Sequence, residues 1–297
     1  MAVFSIIKLS ELEGAKRFDA EYYKPEYLIL LSQLKNLRDI ILLKSISNEI
    51  VSGSYIDKYF DAGTLYLRVN NITESGFDLS DIKFVDIVYS KIPNKIRLKE
   101  QNLVLGRTGT IGVVHIVPKN LDGSVISQHI TKIVLKPNID RYYLVAYLNT
   151  KFARLQEQRV SLGSMQIELT LNGTRNLLIF YPKKGLLIQE VSDLIKKFYN
   201  FEEKSQSLYS QAENLLLEEL GLKDFKPRYK KTYTAKLSSA LSAHRIDAEY
   251  FQPAYEEVSK KIKEYPNGFS RLLKHIENVN PNFDPTKYQS RLFLMLN

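Results

Sequence analysis

Arg68, Asn70, Arg107 and Gln128 carry the side chains of this sequence best suited to paired hydrogen bonding with the edge of a nucleic-acid base. Guanidinium and carboxamide groups present two polar atoms at a spacing that matches such edges. Ser52, Ser54, Thr108, Thr110 and Ser164 offer hydroxyls of the kind that hold phosphate oxygens. Tyr55 and Gln166 complete a candidate contact set, most of which stands in polar stretches between apolar runs.

Reactive chemistry finds less support. Gly106-Arg107-Thr108-Gly109-Thr110-Ile111-Gly112 is glycine-rich enough to suggest a phosphate cradle. It lacks the Gly-Lys-Ser/Thr ending, and it sits between two apolar strand-like runs rather than between a strand and a helix, so a tight turn is the better reading. Asn280-Pro281-Asn282-Phe283 approaches the Asn-Pro-Pro-aromatic signature of adenine methyltransferases without meeting it, and no cofactor-binding glycine motif precedes it. With no cysteine, thiolate zinc sites, disulfides and cysteine nucleophiles are excluded. His115, His129, His244 and His275 are scattered, without metal-ligand spacing. The expectation is a chain with no catalytic residues, no cofactor and no metal.

The elements that must position the candidate contacts change period twice. Pro25 suits a first helical turn, and Tyr27, Leu30, Leu31, Leu34 and Leu37 continue at helical spacing to about Arg38. Residues 46–137 read mostly as strands: Thr64–Val69, Leu103–Leu105, Gly112–Val117 and Ile130–Leu135, punctuated by Gly, Asn, Asp and Pro. Residues 141–157 read as one helix, Ser161–Asn172 as a polar loop and Leu177–Tyr181 as a last strand. A long helix is then expected from about Leu187 to Leu220, closed by Gly221. Leu187, Val191, Leu194, Phe198, Phe201, Ser205, Leu208, Ala212 and Leu215 alternate at spacings of four and three, a heptad seam that needs a partner. Its small members Ser205 and Ala212 would let two helices approach closely.

The 297 residues carry a net charge of +9. Residues 41–182 hold 17 basic against 12 acidic groups, and 221–297 hold 14 against 8. A basic surface attracts phosphate backbones and releases counterions. No run reaches the roughly 18 apolar residues of a membrane span, and residues 1–9 do not resemble a secretion signal. A cytoplasmic location without membrane contact is the expectation.

An internal repeat organises the chain. At an offset of 228 residues, Lys8–Tyr27 faces Lys236–Tyr255 with identities at Lys8, Leu9, Ser10, Ala15, Arg17, Asp19, Ala20, Glu21, Tyr22, Pro25 and Tyr27. A period this long means duplication of a domain rather than a solenoid. The pattern predicts an α+β chain: an N-terminal segment with a short helix at 1–40, a mixed, strand-rich domain at 41–182, a long coiled-coil-like helix at 183–221, and the start of a second repeat at 222–297.

These marks, in this order, resemble the DNA-specificity (S) subunits of type I restriction–modification systems. They are the Arg17–Pro25 opening, Tyr66–Ile72, Leu103–Gly112, Ile126–Ile130, the Ser161–Leu171 loop before Phe180-Tyr181-Pro182, Gln189 opening a long helix, and a second opening after it. The resemblance implies a non-catalytic subunit that recognises double-stranded DNA through a target-recognition domain and directs a methyltransferase subunit and, through the complex, a restriction subunit. It also implies two recognition domains spaced by antiparallel helices. This sequence has one complete domain and the beginning of another, so two copies paired through Leu187, Val191, Leu194, Phe198, Phe201, Leu208 and Leu215 would form a homodimer reading an interrupted palindrome. The alternative is a coiled-coil assembly or inhibitor protein that binds methyltransferase subunits without reading DNA.

Overall fold

The computed structural model describes residues 4–10, 12, 17–86, 88, 92–163, 167–183, 185–270 and 274. It divides the chain into two compact units, residues 1–201 and 202–297. The architecture is mixed helix and strand, with a strand-rich body followed by a long helix.

A four-stranded antiparallel sheet forms the centre of the first unit, in the order Ser47–Ser52, Ile130–Leu135, Leu103–Gly106, Val114–Ile116. Side chains along a strand alternate between faces. Leu103 and Leu105 accordingly join one core cluster and Val104 the other. In strand Leu103–Gly106 both faces are covered, which is why Leu103–Leu105 reads as a continuous apolar run rather than an alternating one. The second cluster is closed by a three-stranded sheet, Lys83–Val85, Thr64–Leu67 and Val125–Ile126, whose last two strands run parallel.

Helices flank the strands, and those of residues 141–148 and 151–160 pack on the first cluster. Helix α1 (Pro25–Asn36) buries Tyr27, Leu30 and Leu34, and its N-terminal proline needs no intrahelical donor there. The single helix expected over 141–157 is in fact two, α2 (Arg141–Leu148) and α3 (Lys151–Val160). The break has a physical cause. The Asn149 carboxamide donates to the Val114 carbonyl at 2.8 Å and accepts from the Val114 N–H at 3.2 Å, which anchors the chain to a strand end. Thr150 then caps α3, its hydroxyl accepting from the Ala153 N–H. A short helix α4 (Leu171–Arg175) precedes strand Leu178–Phe180, which pairs with Ile40–Leu42.

Helix α5 (Leu186–Glu219) follows, within one residue of its expected limits at each end. Beyond it, in the second unit, lie α6 (Leu237–Ala243) and α7 (Pro253–Lys263). No helix among the described residues is long and apolar enough to cross a membrane.

Candidate nucleic-acid interface

One end of the central sheet gathers the loops that carry the candidate contacts. Ser52 pairs with Thr131, and Gly106 with Ile130, so the loops leaving these strands start side by side. They are then tied to one another. The Gly53 N–H donates to the Ile130 carbonyl and the Ser54 N–H to the Ile126 carbonyl. Gly53 lies so close to the 126–127 backbone that a Cβ there would meet the Ile126 oxygen at 1.9 Å. The Ser127 N–H donates to Leu67, which places Arg68 beside the same loop. The Thr110 hydroxyl donates to the Ile72 carbonyl at 3.2 Å, and the Leu169 N–H to the Arg107 carbonyl at 2.9 Å.

Arg107 is the knot of this arrangement. Its guanidinium donates to the carbonyls of Leu169 and Gln128, both at 2.9 Å, and pairs with Glu168 at 2.9 Å. Its own N–H donates to the His129 carbonyl. Burial lowers its pKa, an effect the Glu168 carboxylate opposes. The group holds three loops together and, as folded, points its donors inward. Thr108, 2% exposed in the same turn, is likewise enclosed and presents no surface for a phosphate. As folded, these two side chains support the surface from within.

The remaining candidates divide as follows. Tyr55 stands out at 71% exposure, and Asn70 is exposed. Ser52, Ser54, Thr110 and Gln128 are half-buried at the rim. Arg68 is held by Asp81, its donors reaching both the side chain (2.6 Å) and the carbonyl (2.8 Å). Ser164 and Gln166 lie outside the described residues, in the connection between the paired strands Ser161–Leu162 and Glu168–Leu169. The sequence reading missed Tyr59, exposed four residues after Tyr55, with the Arg68 guanidinium 5.9 Å from its ring. The run Tyr55-Ile56-Asp57-Lys58-Tyr59, aromatics interleaved with a cation, was the available signal. The neutralising roles of Asp81 and Glu168 left no such mark.

Beneath the Arg107 turn lies Glu157 of α3, fully buried. A Cβ at Gly112, whose φ is +79°, would fall on its carboxylate, and neither carboxylate oxygen has a hydrogen-bond partner among the described residues. Burial pushes its pKa up from 4.5 to about 8, while nearby Arg154 pulls it down. Between these two values the folded chain keeps a proton that the unfolded chain has released. Stability contributed here therefore falls as pH rises through that window and levels off above it. Glu157→Gln removes the titration. The variant is expected to unfold at a higher temperature than the parent at about pH 9 and to lose most of this pH dependence. An unchanged profile of Tm against pH would refute the assignment.

Helix α5 carries two apolar stripes. Ile188, Val191 and Tyr199 pack on the first core cluster, and the Tyr199 hydroxyl accepts from the Ile116 N–H at 3.3 Å. Leu187, Leu194, Phe201, Leu208 and Leu215, each seven residues from the next, are exposed, as is Phe198. Val191 thus leaves the expected seam. It belongs to the inward stripe, three residues after Ile188.

No known family profile and no curated relative matches the chain. Among solved structures it is similar to the type I restriction–modification S subunit from M. genitalium. That likeness has 15% identity and a TM-score of 0.43, over 63% of this chain and 46% of the other. It is similar to the HsdS subunit from Thermoanaerobacter tengcongensis at 11% identity and a TM-score of 0.40, over 66% and 48%. It is also similar to the type IIG restriction endonuclease BpuSI at 12% identity and a TM-score of 0.43, over 64% and 30%. The chain spans about half or less of the length of these proteins.

Proposed function

We propose that this chain is a DNA-recognition subunit of the restriction–modification kind, with residues 41–182 as the domain that reads the base sequence. The observation that carries the reading is the gathering of Ser52, Ser54, Tyr55, Asn70 and Gln128, from three separate loops, onto one bonded rim at one sheet end. A rim fixed by its own backbone loses little freedom when it meets a duplex, so its side chains can discriminate between base edges. The chain itself carries no chemistry in this reading. It directs a methyltransferase subunit and, through that assembly, a restriction subunit. Residues 183–221 act as a spacer through the outward stripe of α5, which pairs antiparallel with a second copy. Residues 222–297 open a second repeat. Two copies so paired present identical rims at opposite ends and fit an interrupted palindrome.

A bound duplex recovered from a randomised pool provides the test. Tyr55→Ala, Asn70→Ala and Gln128→Ala are each expected to weaken that duplex roughly tenfold, the scale of one lost base contact, with much smaller effects on random DNA. Binding to both should fall steeply with added salt. A pool that yields no preferred sequence would overturn the reading. It would favour the second one, a coiled-coil protein that occupies methyltransferase subunits without reading DNA, for which the exposed heptad stripe of α5 is the supporting observation.

A further inference from the structure

The two copies of the repeated opening fold alike and differ in what covers them. In the first, Arg17 grips Asp19 through two bonds of 2.7 and 2.6 Å, and its guanidinium lies 4.5 Å from the Tyr22 ring centre. In the second, Arg245 grips Asp247 at 2.7 and 2.9 Å and lies 4.5 Å from the Tyr250 ring. The adjacent aromatics repeat too: Tyr22 with Tyr23, and Tyr250 with Phe251, meet edge to face at 4.9 Å. Pro25 and Pro253 each start the helix that follows.

The first copy is closed by α3. Arg159, at the end of that helix, stacks on Tyr22 at 3.6 Å and donates to the Tyr22 carbonyl at 3.1 Å. Arg17 reaches the Ser161 carbonyl at 3.5 Å. Under this cover Tyr27 and Leu34 of α1 are each 6% exposed. Their counterparts on α7 at the same offset, Tyr255 and Ile262, are 42% and 38% exposed, although Tyr229 touches one side of Tyr255. Between α6 and α7 runs an open groove of about 920 Å³, whose lining includes Arg245, Glu249, Tyr250 and Glu256.

We propose that this face of the second opening is a docking surface for helix α3 of a second copy of the chain, taken in exchange for that copy's own first opening. Shape and charge both fit. The identities that shape the first opening recur in the second, so Tyr250 can receive Arg159 as Tyr22 does. The carboxylates of Glu249 and Glu256 face a helix that carries Lys151, Arg154 and Arg159. Exchange replaces one set of contacts by a nearly identical set, which makes it a low-cost route to association. It is separate from the pairing of α5 and from DNA reading.

The absence of cysteine makes the test direct. Full-length Gln158→Cys and Glu249→Cys chains, each with a single exposed thiol, are mixed and treated with a short bismaleimide. A chain with Glu21→Cys and Gln158→Cys together calibrates the reach of the reagent within one molecule. The expected result is a cross-linked species containing one chain of each kind. Tyr250→Ala or Arg245→Glu in the Glu249→Cys chain should cut its yield about fivefold or more. Tyr22→Ala in the Gln158→Cys chain, which loosens the resident opening, should raise it. Phe201→Asp in both chains should leave it unchanged, even where it abolishes pairing through α5. The proposal fails if no mixed species forms. It also fails if the yield ignores Tyr250→Ala and Arg245→Glu, or disappears with Phe201→Asp, because the thiols would then meet only as bystanders of helix pairing.

Discussion

Arg107→Ala is expected to lower the stability of the first unit by about 3 kcal/mol, the scale of stranding several polar partners of a mostly buried charged donor. For a domain of this size that is a fall of roughly 6–12 °C in Tm. The Leu169 and Gln128 carbonyls would lose their donors, and Glu168 its cation. Arg107→Lys should recover little, since one ammonium cannot span the positions that the planar fork reaches. DNA affinity should fall with the fold, for specific and random duplexes alike, because the loops lose their common tie. Thermal unfolding followed by circular dichroism checks the first statement and duplex titration the second. A variant with unaltered Tm and a purely sequence-specific binding defect would mean that Arg107 reads a base instead.

The second large effect concerns α5. Phe201→Asp combined with Leu208→Asp is expected to convert a homodimer into a monomer at micromolar concentration. Burying each such apolar side chain contributes roughly 1.5–3 kcal/mol. In a two-fold pair each position counts twice, so the double substitution weakens association by more than about a thousandfold. Val191→Asp should behave differently. It strikes the inward stripe, and should lower Tm before it changes the association state. Light scattering on the three proteins distinguishes these outcomes. A parent chain that is monomeric throughout the range would remove the homodimer, and the palindrome with it.

How far the sequence revealed the fold depended on the range of the interactions involved. The long helix was legible because its periodic leucines and phenylalanines are local. Which of its residues face the body was not, because two stripes interleave on one helix and Val191 fits the spacing of both. The division between α2 and α3 was hidden for a similar reason. Apolar residues run on through both, and the break is made by Asn149 bonding a strand 35 residues away. The parallel pairing of Thr64–Leu67 with Val125–Ile126 joins segments about 60 residues apart and leaves no local trace. At the candidate site, the turn 106–112 and the loop 127–129 were recognisable as turns. That Arg107 and Thr108 point into the structure could be learned only from the partners that enclose them.

Apart from the pairing of Arg107 with Glu168 and of Arg68 with Asp81, the ties within the rim share one chemical trait. The acceptors offered by Ile126, Ile130, Leu67, Ile72, Gln128 and Leu169 are all main-chain carbonyls. A carbonyl is supplied by any residue, so the scaffold places few demands on which side chains the loops display. Positions such as Tyr55, Asn70 and Gln128 are free to vary while the frame beneath them persists. Under the proposed DNA-reading function, a lineage carrying this architecture could change the sequence recognised by single substitutions, without an intervening loss of folding.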